Sequence, residues 1–204
     1  MISRRAFFAA AIAAAAAVPL HAEAAAPSTP GAIITSFYDV LLTTMKDGPT
    51  LGFSGRSARL APAIRRAFDL PLMTRLMVGP QWTSLTPAQQ RDLVAAFSEF
   101  SIATYASRFD DFSGERFEVD SATTPAPPNG IIVHSKLIKS DGESVQLNYL
   151  MHQDPEGWQI VDVYLSGTVS ELATRRSEFS SVMRRGGADA LVDALQKKAA
   201  ELRS

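Results

Sequence analysis

Two hydrophobic periods divide the chain. Between residues 30 and 105 apolar side chains recur every three or four positions, the spacing of amphipathic helices. Between residues 117 and 165 they tend to alternate, as in half-buried strands, and after Gly167 the helical spacing returns. Thr29-Pro30 reads as an N-cap followed by a first-turn proline, and Ile33, Ile34, Phe37, Tyr38, Leu41, Leu42 and Met45 then share one helical face. Lys46-Asp47-Gly48-Pro49 ends that helix, and a second amphipathic segment carries Leu60, Ile64 and Phe68. Asp69 is placed to cap a short third helix containing Leu72, Met73, Leu76 and Met77, which Gly79-Pro80 stops. Thr86-Pro87-Ala88-Gln89 has the form of a capping box and opens a longer helix with Leu93, Phe97, Phe100, Thr104 and Tyr105 on successive turns.

The alternating half predicts a short strand over 117–119, a loop over 125–130, and longer strands over 131–138, 145–151 and 158–165. Ser140-Asp141-Gly142 and Asp154-Pro155-Glu156-Gly157 are turn sequences, so the strands should form an antiparallel meander. Val145, Leu147, Tyr149 and Met151 share one face of theirs. Thr168 to Glu171 fits a second capping box, and Gly186-Gly187 separates the helix it opens from a last one bearing Leu191, Val192, Leu195 and Leu202. Helices, a meander, then helices predict an α+β fold, with helices packed on one face of a curved antiparallel sheet.

The first residues follow a different logic. Arg4 and Arg5 precede an apolar stretch over 6–18 that is too short to span a bilayer, and Ala22-Glu23-Ala24 is an A-x-A cleavage pattern. The expectation is a cleaved export signal over 1–24 and one domain over 25–204. Ser3-Arg4-Arg5-Ala6-Phe7-Phe8 resembles a twin-arginine signal, although Ala9 stands where a basic residue is often found, so Sec and twin-arginine export both stay open. Either route leads to the periplasm, with no later apolar run long enough to cross a membrane. The absence of cysteine excludes disulfides, thiol catalysis and lipoprotein acylation. A net charge of −1 argues against a nucleic-acid partner.

Candidate chemistry is sparse. His134 and His152 lie on different strands, outside any metal-ligand spacing, so no metal is expected. There is no G-x-S-x-G, Walker A or G-x-G-x-x-G pattern; Gly52-Phe53-Ser54-Gly55 reads as a loop without the preceding strand of a phosphate cradle, and Asp110-Asp111 as a solvated turn. Asp162 is the one charge inside an apolar strand and needs a partner. One reading is a structural clamp in which Arg175 or Arg176 reaches back to Asp162 and ties helix to sheet. The other is a general base in an apolar pocket, its pKa raised by desolvation. Met73, Leu76, Met77, Phe97, Phe100 and Tyr105 on helices face Leu147, Tyr149, Met151, Val161, Val163 and Leu165 on strands. By composition these twelve suit a packed core or the wall of a cavity, and the methionines suit a deformable wall.

A resemblance narrows the choice. The run over 158–179, WQIVDVYLSGTVSELATRRSEF, resembles the signature segment of MlaC-type periplasmic lipid-binding proteins, the family that includes the toluene-tolerance auxiliary proteins. It is most similar to the hopanoid-associated HpnM branch. Leu51-Gly52-Phe53-Ser54-Gly55-Arg56, Phe68-Asp69-Leu70-Pro71-Leu72-Met73, Val78-Gly79-Pro80-Gln81-Trp82, Tyr105-Ala106 and the stretch from Gly186-Gly187 to Leu195 resemble further blocks of that branch, in the same order. The resemblance implies an NTF2-like or cystatin-like α+β fold enclosing an apolar cavity, with the twelve residues above as its wall. It implies a monomeric, non-enzymatic shuttle whose only small-molecule component is its cargo, phospholipid or hopanoid. The partners implied are an inner-membrane ABC lipid transporter complex and an outer-membrane lipoprotein. The Arg175-Arg176 pair is also placed to meet a lipid phosphate. Two alternatives remain: a small isomerase or hydrolase on an NTF2-like cone using Asp162, and an envelope interaction module with a filled core.

Overall fold

The computed structural model describes residues 29–155 and 157–203. The expected export signal over 1–24 lies outside the described residues. Helix α1 (Pro30–Lys46) begins where Thr29 accepts a hydrogen bond from the Ala32 amide at 3.2 Å, and its buried face is Ile34, Phe37, Tyr38, Leu41, Thr44 and Met45. Helix α2 (Gly48–Ala67) bends at Gly52, whose φ of 58° is incompatible with a regular helix. Gly52 is therefore the kink itself and Gly55 a helical residue that follows it, not the loop expected from their composition. Helix α3 (Leu70–Val78) is capped by Asp69 through the Leu72 amide at 2.9 Å and passes into a 3₁₀ turn (Gly79–Ser84). Helix α4 (Pro87–Arg108) opens with the expected capping box between Thr86 and Gln89.

The strands β1 (Arg116–Ala126), β2 (Gly130–Ile138), β3 (Ser144–Asp154), β4 (Gly157–Leu165) and β5 (Val169–Ser170) form one open sheet in chain order, every pair antiparallel. The meander was legible; the length of its first strand was not. β1 continues through the polar stretch 120–126, where pairing to β2 rather than hydrophobic alternation sustains it, across a register shift between Val119 and Thr123. Helix α5 (Glu171–Glu201) is capped by Ser170, not Thr168, because Thr168 lies in the turn from β4 to β5. Its regular geometry breaks at Gly187, with φ of 69°, where the sequence places the end of one helix and the start of another.

The helices pack on one another and on the sheet, α4 against α5 and α2, α1 against β1. The core between them is closed at one end by Phe37, Tyr38, Leu41, Met151 and Ile160. There the Tyr38 ring stacks on Phe117 at 4.0 Å, and its hydroxyl meets Ser135 Oγ at 2.6 Å while Ser135 donates to the Leu147 carbonyl. The Tyr38 hydroxyl is therefore the donor in its bond to Ser135. Burial pushes the Tyr38 phenol up to about 12, so it stays neutral. No described helix is long and apolar enough to cross a membrane.

Candidate functional site

A cavity of about 120 Å³ lies between the sheet and the helices. The sheet supplies Leu147, Tyr149, Val163 and Leu165; α2, the junction that follows it and α3 supply Ile64, Phe68, Leu70 and Met73. From α4 comes a continuous stripe of Phe97, Phe100, Ser101, Thr104, Tyr105 and Arg108, and Phe109 follows it. These positions repeat at three- and four-residue steps, so they share one helical face. Ser101 and Thr104 satisfy their hydroxyls on the Phe97 and Phe100 carbonyls, each at 2.8 Å, leaving the wall largely apolar. The Tyr105 ring packs edge-on to Phe37 at 5.4 Å and stacks on Phe109 at 5.7 Å. Burial raises the pKa of Tyr105 and of Tyr149, so both phenols are neutral components of the wall.

One end of the cavity is charged. Arg108, from the last turn of α4, and Glu171, Leu172 and Arg175, from the first turns of α5, line it. Arg175 donates to Glu171 at 3.2 Å and to Glu178 at 3.0 Å, and its guanidinium lies 5.1 Å from the centre of the Phe100 ring. Arg108 approaches Glu171 only to 3.9 Å and is half exposed. Lys198 reaches Glu178 at 2.7 Å. Burial acts to raise the Glu178 pKa, but hydrogen bonds from Lys198 and Arg175 outweigh it and the net shift is downward.

Eight of the twelve residues singled out from the sequence line this cavity: Met73, Phe97, Phe100, Tyr105, Leu147, Tyr149, Val163 and Leu165. Four do not. Leu76 is 43 % exposed, because α3 buries the stripe Leu70, Met73, Thr74 and Met77 and turns Leu76 outward. Met77 is buried in the core without reaching the lining. Met151 is fully buried one inward position beyond Tyr149, where the interior is already filled. Val161 falls on a β-bulge: Met151 pairs with Ile160 and Leu150 with Asp162, so Val161 has no partner on β3. The extra residue shifts the alternation, and Ile160 rather than Val161 joins Val163 in the core cluster.

The arginine clamp on Asp162 also needs correction. Asp162 Oδ1 accepts from the Val163 amide at 2.7 Å and the Leu172 amide at 3.0 Å, and Oδ2 accepts from Ser170 Oγ at 2.5 Å. Ser170 Oγ itself accepts from the Ala173 amide at 2.9 Å. The carboxylate and the serine thus cap α5 together, satisfying two of its unpaired first-turn donors. Strand is tied to helix as expected, but through backbone amides rather than a guanidinium. Arg175 is occupied by Glu171 and Glu178, while Arg176 lies over Gly79, where a Cβ would sit 3.1 Å from a guanidinium nitrogen. Gly79 has a φ of 73° as well, so both its backbone and its neighbour favour glycine. Burial raises the Asp162 pKa, with the Ser170, Leu172 and Val163 bonds opposing it. Asp162 does not line the cavity, which removes the geometry a general base there would need.

The missed lining residues carried a signal. The α4 stripe runs on from Tyr105 to Arg108 at helical spacing, and Ile64 and Phe68 continue the face already read on α2. The mouth residues had no such signature, since Arg108 and Glu171 meet only through the packing of α4 on α5. Elsewhere, His152 pairs with Asp69 at 2.9 Å, and Asp154 completes a group whose ligand atoms all lie within 4.8 Å. The His152–Asp69 contact fastens the α3 cap to β3.

The cavity is apolar along its wall and charged at its rim, a shape that suits a ligand with an apolar body. Residues 35–197 match the family model described as MlaC protein, and the chain belongs to that family. The chain is also similar to a phospholipid-binding protein from Ralstonia solanacearum, whose structure was solved at 1.53 Å in complex with a phospholipid. The two are 26 % identical with a TM-score of 0.74, over 88 % of this chain and 100 % of that one.

Proposed function

We propose that this protein is a periplasmic lipid carrier that holds the acyl tails of a phospholipid in the cavity between the sheet and α3–α5. The observation that carries the reading is the cavity itself, apolar along its length and charged only at one end, in a chain of the MlaC family. The phospholipid held by the Ralstonia solanacearum relative supports the choice of cargo. The reading is of a binding protein rather than an enzyme. Shielding a tail of about 16 carbons from water is worth on the order of 13 kcal/mol, at ~0.8 kcal/mol per methylene. Unassisted transfer through an aqueous compartment is correspondingly slow, and a carrier accelerates it without bond chemistry. The signal-like residues 1–24 support export, and an inner-membrane ABC complex and an outer-membrane lipoprotein are the proposed donor and acceptor. The resemblance to the HpnM branch makes hopanoid a second cargo within the same reading.

The test is lipid analysis of protein purified natively from the periplasm. About one lipid per protein is expected by mass spectrometry of the organic extract. Val163→Trp, which projects bulk into the cavity, should reduce that occupancy several-fold while circular dichroism shows a folded chain. Protein that emerges empty from native purification refutes the proposal.

A further inference from the structure

We infer that Arg108 and Arg175 form a binding site for the phosphate of the bound lipid, and that Glu171 occupies their guanidinium groups when no phosphate is present. The inference rests on the carrier reading and goes beyond it, because it makes the protein selective for anionic phosphodiester lipids over neutral lipids with the same tails.

The mouth of the cavity carries a linked charge network. Glu171 contacts both Arg108 and Arg175, and Glu178 contacts both Arg175 and Lys198. In the lining itself two guanidinium groups, Arg108 and Arg175, against one carboxylate, Glu171, leave one positive charge, which a phosphodiester monoanion neutralises. Asp162, whose pKa Glu171 also helps to raise, does not line the cavity and is bonded to Val163, Ser170 and Leu172.

The contacts are unequal in a way that leaves room for an anion. Arg175 is held by two carboxylates and by the face of Phe100. Arg108 has only Glu171, at a separation too long for a direct hydrogen bond. A lipid whose tails lie against Phe100, Tyr105 and Val163 emerges between these two arginines, since they and Glu171 are the charged residues of the lining. A guanidinium fork suits a phosphate oxygen pair better than it suits a carboxylate shared with a second arginine. Phosphate binding then displaces Glu171 toward solvent and replaces a long contact by short ones. A neutral lipid such as diacylglycerol offers nothing to make that exchange.

The experiment is calorimetric titration of the full chain with dioctanoyl phosphatidylglycerol, dioctanoylglycerol and inorganic phosphate. Phosphatidylglycerol should bind about tenfold more tightly than dioctanoylglycerol, the scale of one charge-assisted hydrogen bond. Arg108→Gln should remove most of that preference, read as the ratio of the two affinities in the same variant. Arg108→Lys should restore part of it. Glu171→Gln should tighten phosphatidylglycerol alone, because the competing anion is gone. Equal binding of the two lipids by the unaltered protein, or an undiminished preference in Arg108→Gln, overturns the phosphate site and leaves the cavity reading standing. Inorganic phosphate bound as tightly as phosphatidylglycerol overturns the headgroup assignment in favour of a free-anion site. Binding of neither lipid defeats the carrier reading itself.

Discussion

The interior has two ends built from the same kinds of residue with different results. At the closed end Phe37, Leu41, Met151 and Ile160 are buried to 2 % exposure or less, and Tyr38 completes a hydrogen-bonded link through Ser135 to the Leu147 carbonyl. At the open end Phe100, Tyr105, Leu147, Val163 and Leu165 leave a space between them. Aromatic and aliphatic content does not separate the two. What separates them is whether a facing element fills the gap. At the closed end α1 packs on β1 and β4, whereas at the open end α5 packs on β4 while α4 and the sheet face one another across the cavity. A cavity is therefore a property of how helices are spaced over a sheet, and the side chains only determine what it accepts.

The largest test of this contrast is a pair of truncations. Leu41→Ala creates a new void in close-packed surroundings and should cost about 3 kcal/mol in chemical denaturation. Leu165→Ala enlarges a space that already exists and should cost about 1 kcal/mol, the transfer contribution with little added cavity cost. Equal losses would mean that the open end is as tightly packed as the closed one.

A smaller effect is expected at the joint that positions the mouth. Asp162→Ala leaves the Val163 and Leu172 amides and the Ser170 hydroxyl without their acceptor and should destabilise by about 2 kcal/mol, whereas Asp162→Asn keeps an acceptor and should cost about half as much. The pH dependence has a definite sign. Because burial places the Asp162 pKa in the fold above the ordinary aspartate value of 3.8, the folded state binds this proton more tightly than the unfolded chain does. Asp162 alone therefore makes the fold less stable as pH rises from near 3.8 through its folded pKa, and constant above it. Subtracting the denaturation profile of Asp162→Asn from that of the unaltered protein should isolate this fall; a difference that rises with pH would overturn the assignment.

The smallest effect belongs to the closed end. Tyr38→Phe removes one donor while Ser135 keeps its bond to the Leu147 carbonyl, so about 1 kcal/mol should be lost. With a folded value of about 12 against the ordinary tyrosine value of 10.0, Tyr38 makes the fold less stable as pH rises between them. Absorbance titration of the phenolates should show one fewer late-titrating tyrosine in the variant.

How much of this was legible in the chain depends on the range of the interaction involved. The α4 capping box, the turn sequences and the strand order are local, and Thr86-Gln89 or Ser140-Asp141-Gly142 announce themselves, whereas the box expected from Thr168 gives way to a cap at Ser170. Leu76 and Val161 mark the limit. On α3 the pattern Leu72, Met73, Leu76, Met77 admits two stripes, and only packing selects the one through Leu70 and Thr74. On β4 strict alternation would put Val161 beside Val163, and a bulge that no residue type dictates changes it. The Asp162 partners were misread for a related reason: charge invites a search for opposite charge, whereas the amides at a helix start are invisible in a string of side chains.

An open sheet also has margins, and the β1 strand forms one of them. Along it Arg116, Glu118 and Asp120 alternate outward, Glu118 reaches across to Lys136 at 2.9 Å, the register shifts after Val119, and Pro125 removes an amide donor. The opposite margin, β5, is two residues long and runs straight into α5. Charge, a bend, a proline and brevity are the devices that deny a foreign strand a template. In a protein with a partly vacant interior, these devices place the guard against strand addition at the rim of the sheet rather than in its core.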